Sequence, residues 1–170
     1  MRVELKPHPD TPSAAVTAIV VEAVRDGEAL RLTYRTTGLM EDLLVPAPAF
    51  CERMDELWKH TCFEAFIGGA DGRYCEFNFA PSTQWAAYAF DSYRAGMRDF
   101  EMSALSIEAR GGDDWFEVEA VVTPGETGAW RVGLSAVIEE TNGVKSYWAL
   151  RHPPGKPDFH HADGFALELK

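Results

Sequence analysis

Along most of this chain apolar and polar residues alternate with a period of two, the pattern of strands that bury one face. AAVTAIVVEAVR at residues 14–25 and LRLTYRT at 30–36 flank Asp26-Gly27, a favoured hairpin dipeptide. Three more hairpins follow. Residues 61–68 and 74–80 flank GGADGR, 104–110 and 115–123 flank GGDD, and 130–140 and 145–151 flank Thr141-Asn142-Gly143-Val144. MRVELK reads as an opening strand and FALEL as a closing one, and QWAAYAFDSYR adds a strand over 84–90. Helix is scarce. Phe50, Met54, Leu57 and Trp58 fall at i, i+4, i+7 and i+8, which predicts two or three helical turns over 49–58, and residues 91–99 suit another turn. The expectation is one all-β domain over residues 1–170, about ten antiparallel strands with one or two short helical turns. A barrel fits the pattern too, but strands of uneven length favour an open β-sandwich.

Two carboxylates interrupt the apolar strands, Glu64 in TCFEAFI and Glu76 in YCEFNFAP. Strand interiors avoid Glu, and an unpaired buried charge is costly. If Glu64 pairs with Asn78, then Phe66 pairs with Glu76, and Cys62, Glu64, Phe66, Glu76 and Asn78 share one face. Phe63, Ala65, Ile67, Cys75, Phe77 and Phe79 then form the core face. The mixed face is either a ligand site built on a sheet or a solvated side with no chemistry. On the next strand Trp85, Ala87 and Ala89 share one face and Ala86, Tyr88 and Phe90 the other.

A second concentration of site-grade residues lies in SYWALRHPPGKPDFHH, residues 146–161: Trp148, Arg151, His152, Asp158, His160 and His161. Three prolines stiffen this loop, which is expected to lie against the sheet end carrying His60 and to wall the main concavity. Its His/Asp/His spacing matches no zinc motif, so no metal is assigned.

Charge and cysteines narrow the partners. Twenty-seven acidic against sixteen basic residues give a net charge of −11. That argues against nucleic acid and anionic membrane as partners and leaves a neutral or cationic small molecule. Cys51, Cys62 and Cys75 show no metal spacing and read as free, mostly buried thiols. The opening MRVELKPHPD has no apolar signal segment, so a cytoplasmic location is expected. There is no GxSxG, P-loop, HExxH or Rossmann fingerprint.

The combined pattern LW-x-HTCFEAF, Y-x-EFNFAPS-x-QWAAY-x-F-x-x-YR-x-GM and SYWAL-x-HP-x-x-x-PDFH resembles the DOMON-like bacterial proteins and the family 9 carbohydrate-binding modules, over residues 57–97 and 130–169. The resemblance implies an immunoglobulin-like β-sandwich with a ligand site on one sheet. Relatives bind saccharides on aromatic platforms, or haem through axial Met and His or Lys. Carried over, it makes Trp85 and Trp148 the platforms and Glu64, Asn78 and Arg151 their polar partners. The leading reading is a non-enzymatic small-ligand module for a sugar-like ligand, with candidate residues His60, Glu64, Glu76, Asn78, Trp85, Trp148, Arg151, His152, Asp158 and His160. A haem-binding redox module is the second choice of cofactor and function. A glycoside hydrolase using the Glu64/Glu76 pair is the third.

Overall fold

The computed structural model of the chain describes residues 1–69, 71–102, 105–125 and 128–170. Ala70 in the GGADGR loop and Ala104, at the start of the expected strand 104–110, lie outside them. Among the described residues there are twelve strands: β1 (Arg2–Pro7), β2 (Val16–Asp26), β3 (Ala29–Gly38), β4 (Cys62–Gly68), β5 (Tyr74–Phe79), β6 (Trp85–Phe90), β7 (Arg98–Asp99), β8 (Leu105–Gly111), β9 (Trp115–Val122), β10 (Trp130–Glu139), β11 (Lys145–Ala149) and β12 (Leu167–Leu169). The fold is nearly all antiparallel β, as the period-two pattern requires. The strands run in one path, β7-β6-β5-β4-β10-β11-β1-β2-β3-β9-β8, with β12 beside the start of β10.

β1 makes the path continuous. Its Arg2–Leu5 pair with β2, while Lys6 and Pro7 pair with β11. The sheet therefore curls over, and its two halves meet across one core. Phe63 of β4 lies 4.9 Å from the ring of Tyr34 on β3 and 5.7 Å from that of Phe116 on β9. The Tyr34 hydroxyl, buried between the halves, donates to the Glu64 carbonyl at 2.8 Å, which removes the penalty of an unpaired buried polar group. Leu5, Ile19, Val21, Leu32, Ile67, Phe77 and Phe79 fill the rest.

Strands β4, β5 and β6 are consecutive antiparallel neighbours, and the register is the expected one, Glu64 opposite Asn78 and Phe66 opposite Glu76. The helical expectations fail. Over 49–58 only Leu57–Lys59 is helical, one 3₁₀ turn. The preceding residues give their backbone groups to the edge of β6 instead: the Met54 N–H donates to the Trp85 carbonyl at 2.8 Å and the Trp85 N–H to Glu52 at 3.1 Å. Residues 91–99 hold a Ser92–Ala95 turn and then β7. Gly96 has φ +67°, and a Cβ there would sit 2.2 Å from an Asp91 carboxylate oxygen. Asp91 in turn holds Arg98 at 2.7 Å, which favours a tight loop over a helix. Cys62 and Cys75 are buried and Cys51 is exposed, and none of the three forms a disulfide.

Trp148 faces the core and is 3 % exposed, with its indole N–H donating to the Ser146 hydroxyl at 2.9 Å. It is no binding platform, because β11 pairs Trp148 with Ala136 on the inner face of β10. Trp148→Ala is expected to cost about 3–5 kcal/mol of stability, read by urea denaturation. A cost below ~1 kcal/mol would contradict this burial.

Candidate functional site

The face of β4–β5–β6 turned away from the core is also covered. Cys62, Phe66, Tyr74, Ala86, Tyr88 and Phe90 form a second apolar cluster with Leu57 and Phe165. Two irregular segments and the residues around Leu57 stand over it and leave a cleft of about 370 Å³. Glu64, Glu76, Tyr88 and Phe90 line its floor with Val137 of β10 and Tyr147 of β11. Trp58 stands on one side; Arg94, Met97, Pro157, Phe159 and His160 complete the lining.

Glu64 and Glu76 come together because the register sets them on diagonal positions of one face. They are 3 % and 6 % exposed. Each is only half satisfied. Ser135 donates to Glu64 Oε2 at 3.2 Å, and the Asn78 amide donates to Glu76 Oε1 at 2.8 Å. Burial pushes the Glu64 carboxyl well above the usual range, and the neighbouring Glu76 charge pushes it further, with Ser135 and Arg94 offsetting in part. Burial raises Glu76 as well, against the Asn78 hydrogen bond and the Arg94 charge. His160 shifts the other way. Burial, helped by the Arg94 charge and opposed by Asp158, lowers it to about 4. Its Nδ1 meets the Tyr74 hydroxyl at 2.8 Å and its Nε2 lies 3.7 Å from Glu76 Oε2. That approach is not an ion pair near neutral pH, because the imidazole is uncharged there.

The walls are fixed by a small polar network. Asp158 accepts from Tyr93 at 2.6 Å and from the Arg94 guanidinium at 2.8 Å, and from the His160 N–H at 3.1 Å. Burial pushes the Asp158 carboxyl up, but Tyr93 and Arg94 outweigh it and hold it below its ordinary value. The Arg94 N–H donates to the Tyr74 hydroxyl at 3.1 Å. Behind the proline-rich loop His8 reaches the Gly155 carbonyl at 2.9 Å and packs edge-on against His152, centroids 4.9 Å apart. Arg94 has φ +52°, and Glu56, just before the Trp58 turn, has φ +64°. Left-handed backbone costs a non-glycine residue roughly 1–2 kcal/mol. Both walls carry that strain beside the cleft.

Of the ten residues the sequence singles out, Glu64, Glu76 and His160 line the cleft. Asn78 is fully buried behind the floor and orients Glu76. Asp158 holds Arg94 from outside the cleft. His152 turns its Nε2 to the Lys6 carbonyl at 2.8 Å. Arg151 borders a crevice with Phe66 and Gly164. Trp85 packs against the core beside β5, and Trp148 is inside it. His60 is exposed, 2.7 Å from Glu139, in a separate concavity with Met54 and Leu44. The proline-rich loop does wall the cleft, but Trp58 rather than His60 faces it from across. Glu64 takes its hydrogen bond from Ser135 of β10, while Asn78, opposite it in the register, turns to Glu76. Arg94, Trp58, Tyr88, Tyr147 and Phe159 were missed. Tyr88 and Tyr147 had a signal, since strand alternation puts Tyr88 opposite Glu76 and Tyr147 on the face away from Trp148. Among the described residues no group of three His, Cys, Asp or Glu side chains is placed to hold a metal ion.

No protein-family model and no curated protein sequence matches the chain. Solved structures do. A candidate carbohydrate-binding protein from Bacteroides uniformis aligns with a TM-score of 0.66 at 12 % identity, over 96 % of this chain and 83 % of that one. A family 9 carbohydrate-binding module from Caldicellulosiruptor kristjanssonii in complex with cellotriose gives 0.56 at 9 % identity, over 90 % and 75 %. The same kind of module in complex with glucose gives 0.51 at 9 %, over 89 % and 76 %. The chain thus has a fold similar to that of the family 9 modules.

The floor carboxyl makes stability depend on pH with a definite sign. Folded Glu64 has a raised pKa, so between the unfolded value of 4.5 and the raised one the folded chain holds more protons, and stability falls as pH rises. His160 acts oppositely: its contribution, up to ~3 kcal/mol at 1.36 kcal/mol per unit, is lost as pH falls from 6.5 towards about 4. Glu64→Gln is therefore expected to gain melting temperature over the parent chain at pH 8 more than at pH 5. An equal offset at both would show that Glu64 is ionised in both states.

Proposed function

We propose that the chain is a non-enzymatic saccharide-binding module whose ligand lies in the cleft above β4–β6. The observation that carries this is a pair of buried carboxyls set in a floor and walls of aromatic rings. Sugar faces stack on apolar rings while a few fixed polar groups orient the hydroxyls. Trp58, 37 % exposed and edge-on to Tyr88 at 6.0 Å, takes the platform role that Trp85 and Trp148 do not fill, and Tyr147 of the floor is in ring contact with Phe159 at 6.1 Å. The fold neighbours that hold cellotriose and glucose support the same class of ligand. In this reading the two halves of the curled sheet are the leaves of a β-sandwich.

The two other readings fare less well. Met97 and His160 line one cleft, as an axial pair for haem would. Yet His160 turns one nitrogen to Tyr74 and the other towards Glu76, so the residues present do not fit haem. A hydrolytic pair needs one carboxyl ionised and one protonated, set apart by environment. Burial raises both carboxyls here, Glu64 further because of the Glu76 charge. The pair alone therefore does not decide, and the fold neighbours that hold cellotriose and glucose as binding modules favour binding over hydrolysis.

Calorimetric titration with glucose and cellotriose tests the proposal. Trp58→Ala is expected to weaken binding by ~1–2 kcal/mol with little change in melting temperature, because the indole is partly exposed. Absence of binding to either sugar, or affinity untouched by the substitution, would count against the cleft as the site.

A further inference from the structure

The cleft is not electrically neutral in its demands. Glu64 and Glu76 each turn one oxygen that accepts no hydrogen bond among the described residues towards a space lined by rings. Among the described lining residues the one cation, Arg94, is held by Asp158, which also takes the Tyr93 hydroxyl. Arg94 acts on both carboxyls from a distance, but its ion pair is with Asp158, and the neutral His160 adds no charge. Among the described residues no charged cation pairs directly with Glu64 or Glu76. Rings around carboxyls make a good receptor for an ammonium group: the carboxylate supplies charge-assisted hydrogen bonds and the ring faces attract the cation. Trp58, Tyr88, Phe90, Tyr147 and Phe159 supply the rings.

Resting on the saccharide reading, we infer that the ligand is a cationic amino sugar, its pyranose ring against the aromatic walls and its ammonium group between Glu64 and Glu76. The step is non-covalent and its protons balance. Burial and the neighbouring Glu76 charge favour the protonated form of Glu64. An arriving ammonium stabilises the carboxylate, so a carboxyl proton passes to the buffer and an ion pair replaces it. The groups facing the pair are few. Ser135 and Asn78 are neutral donors, Cys62 and Tyr34 are un-ionised because burial raises both, and Tyr74 faces His160. Tyr88 donates to Asp55 at 2.7 Å, away from the pair, and Arg94 remains on Asp158. The proton released on binding comes from the carboxyl pair, and from Glu64 first, whose carboxyl is raised the more.

The test compares glucosamine, N-acetylglucosamine and glucose, which share a ring and differ in the charge at one substituent. Titrated near pH 6.5, glucosamine is expected to bind about tenfold tighter than the other two, the difference between a charge-assisted and a neutral hydrogen bond. Its binding heat is expected to vary with the buffer's ionisation heat in the sense of proton release. Glu76→Gln, which keeps the shape and the Asn78 contact, is expected to reduce the preference for glucosamine over glucose to about twofold or less. Glu64→Gln gives the same reading if the first variant does not fold. If all three sugars bind alike, or glucosamine binds without proton release, the ammonium assignment falls and the saccharide reading stands. If none binds, both fall. Glucosamine bound tightly by the parent chain and equally by both Gln variants would place the amine elsewhere and overturn the inference.

Discussion

Strand β4 cannot slip, and the cleft depends on it. All seven of its residues are buried, with apolar core on one face and the cleft floor on the other. It is hydrogen-bonded along both edges, to β10 and to β5. A shift of one residue would turn Glu64 into the core against Phe116 and Tyr34, and Phe63 into the cleft. Burying a carboxylate without a partner costs several kcal/mol, so the sequence itself forbids the alternative register. Tyr34 adds a lock from the opposite half of the sheet, because its hydroxyl reaches the carbonyl of Glu64 and no other residue on β4. Core packing, strand register and the placing of the two carboxyls are one constraint seen from three sides.

A polar floor of this kind is stable only while it is uncharged or paired. The fold keeps it so by removing water. Three groups shift away from ionisation for the same reason: both carboxyls upward and His160 downward. The cations that the site does use are kept at its edge, where Arg94 has both water and Asp158. That single ion pair on a partly exposed surface contributes little to stability. Its consequence is geometric: it joins the loop after β6 to the proline-rich loop, so two segments far apart in the chain form one wall. His8 and His152 fasten the far side of the proline-rich loop to β1.

What the sequence made legible follows the period of two. The hairpins, the Glu64–Asn78 register and the core face all follow from alternation, which is a property of the strand itself. Alternation cannot say which face a second layer will cover. Trp85 and Trp148 therefore looked like platforms, although their faces turn to the core. Trp58 looked like part of an apolar helical stripe, although the stripe never forms. A run of four apolar residues at helical spacing is too short to outweigh the backbone bonds that Trp85 of β6 makes to Glu52 and Met54. Arg94, Phe159 and His8 lie in loops, where no periodicity marks a residue and only the folded chain shows what it meets.

The location of the cleft also decides how it can work. Its floor is a sheet face whose other side is the core, so the carboxyls cannot move without disturbing Phe63 or Phe77. A ligand finds them already placed and incurs little of the ordering cost that weakens binding to flexible sites. The walls differ from one another. The proline-rich side is restricted by Pro153, Pro154 and Pro157 and tied at Asp158 and Gly155. The Trp58 side is a single 3₁₀ turn that opens on a strained Glu56, with Met54 exposed before it, the Lys59 ammonium on Glu56 and the Lys59 carbonyl accepting from Lys145 of β11. Any adjustment of the cleft to ligands of different breadth is therefore expected at Trp58, and discrimination by charge at the floor, since the first sits on one short turn anchored at Leu57 and Lys59 and the second on the whole sheet.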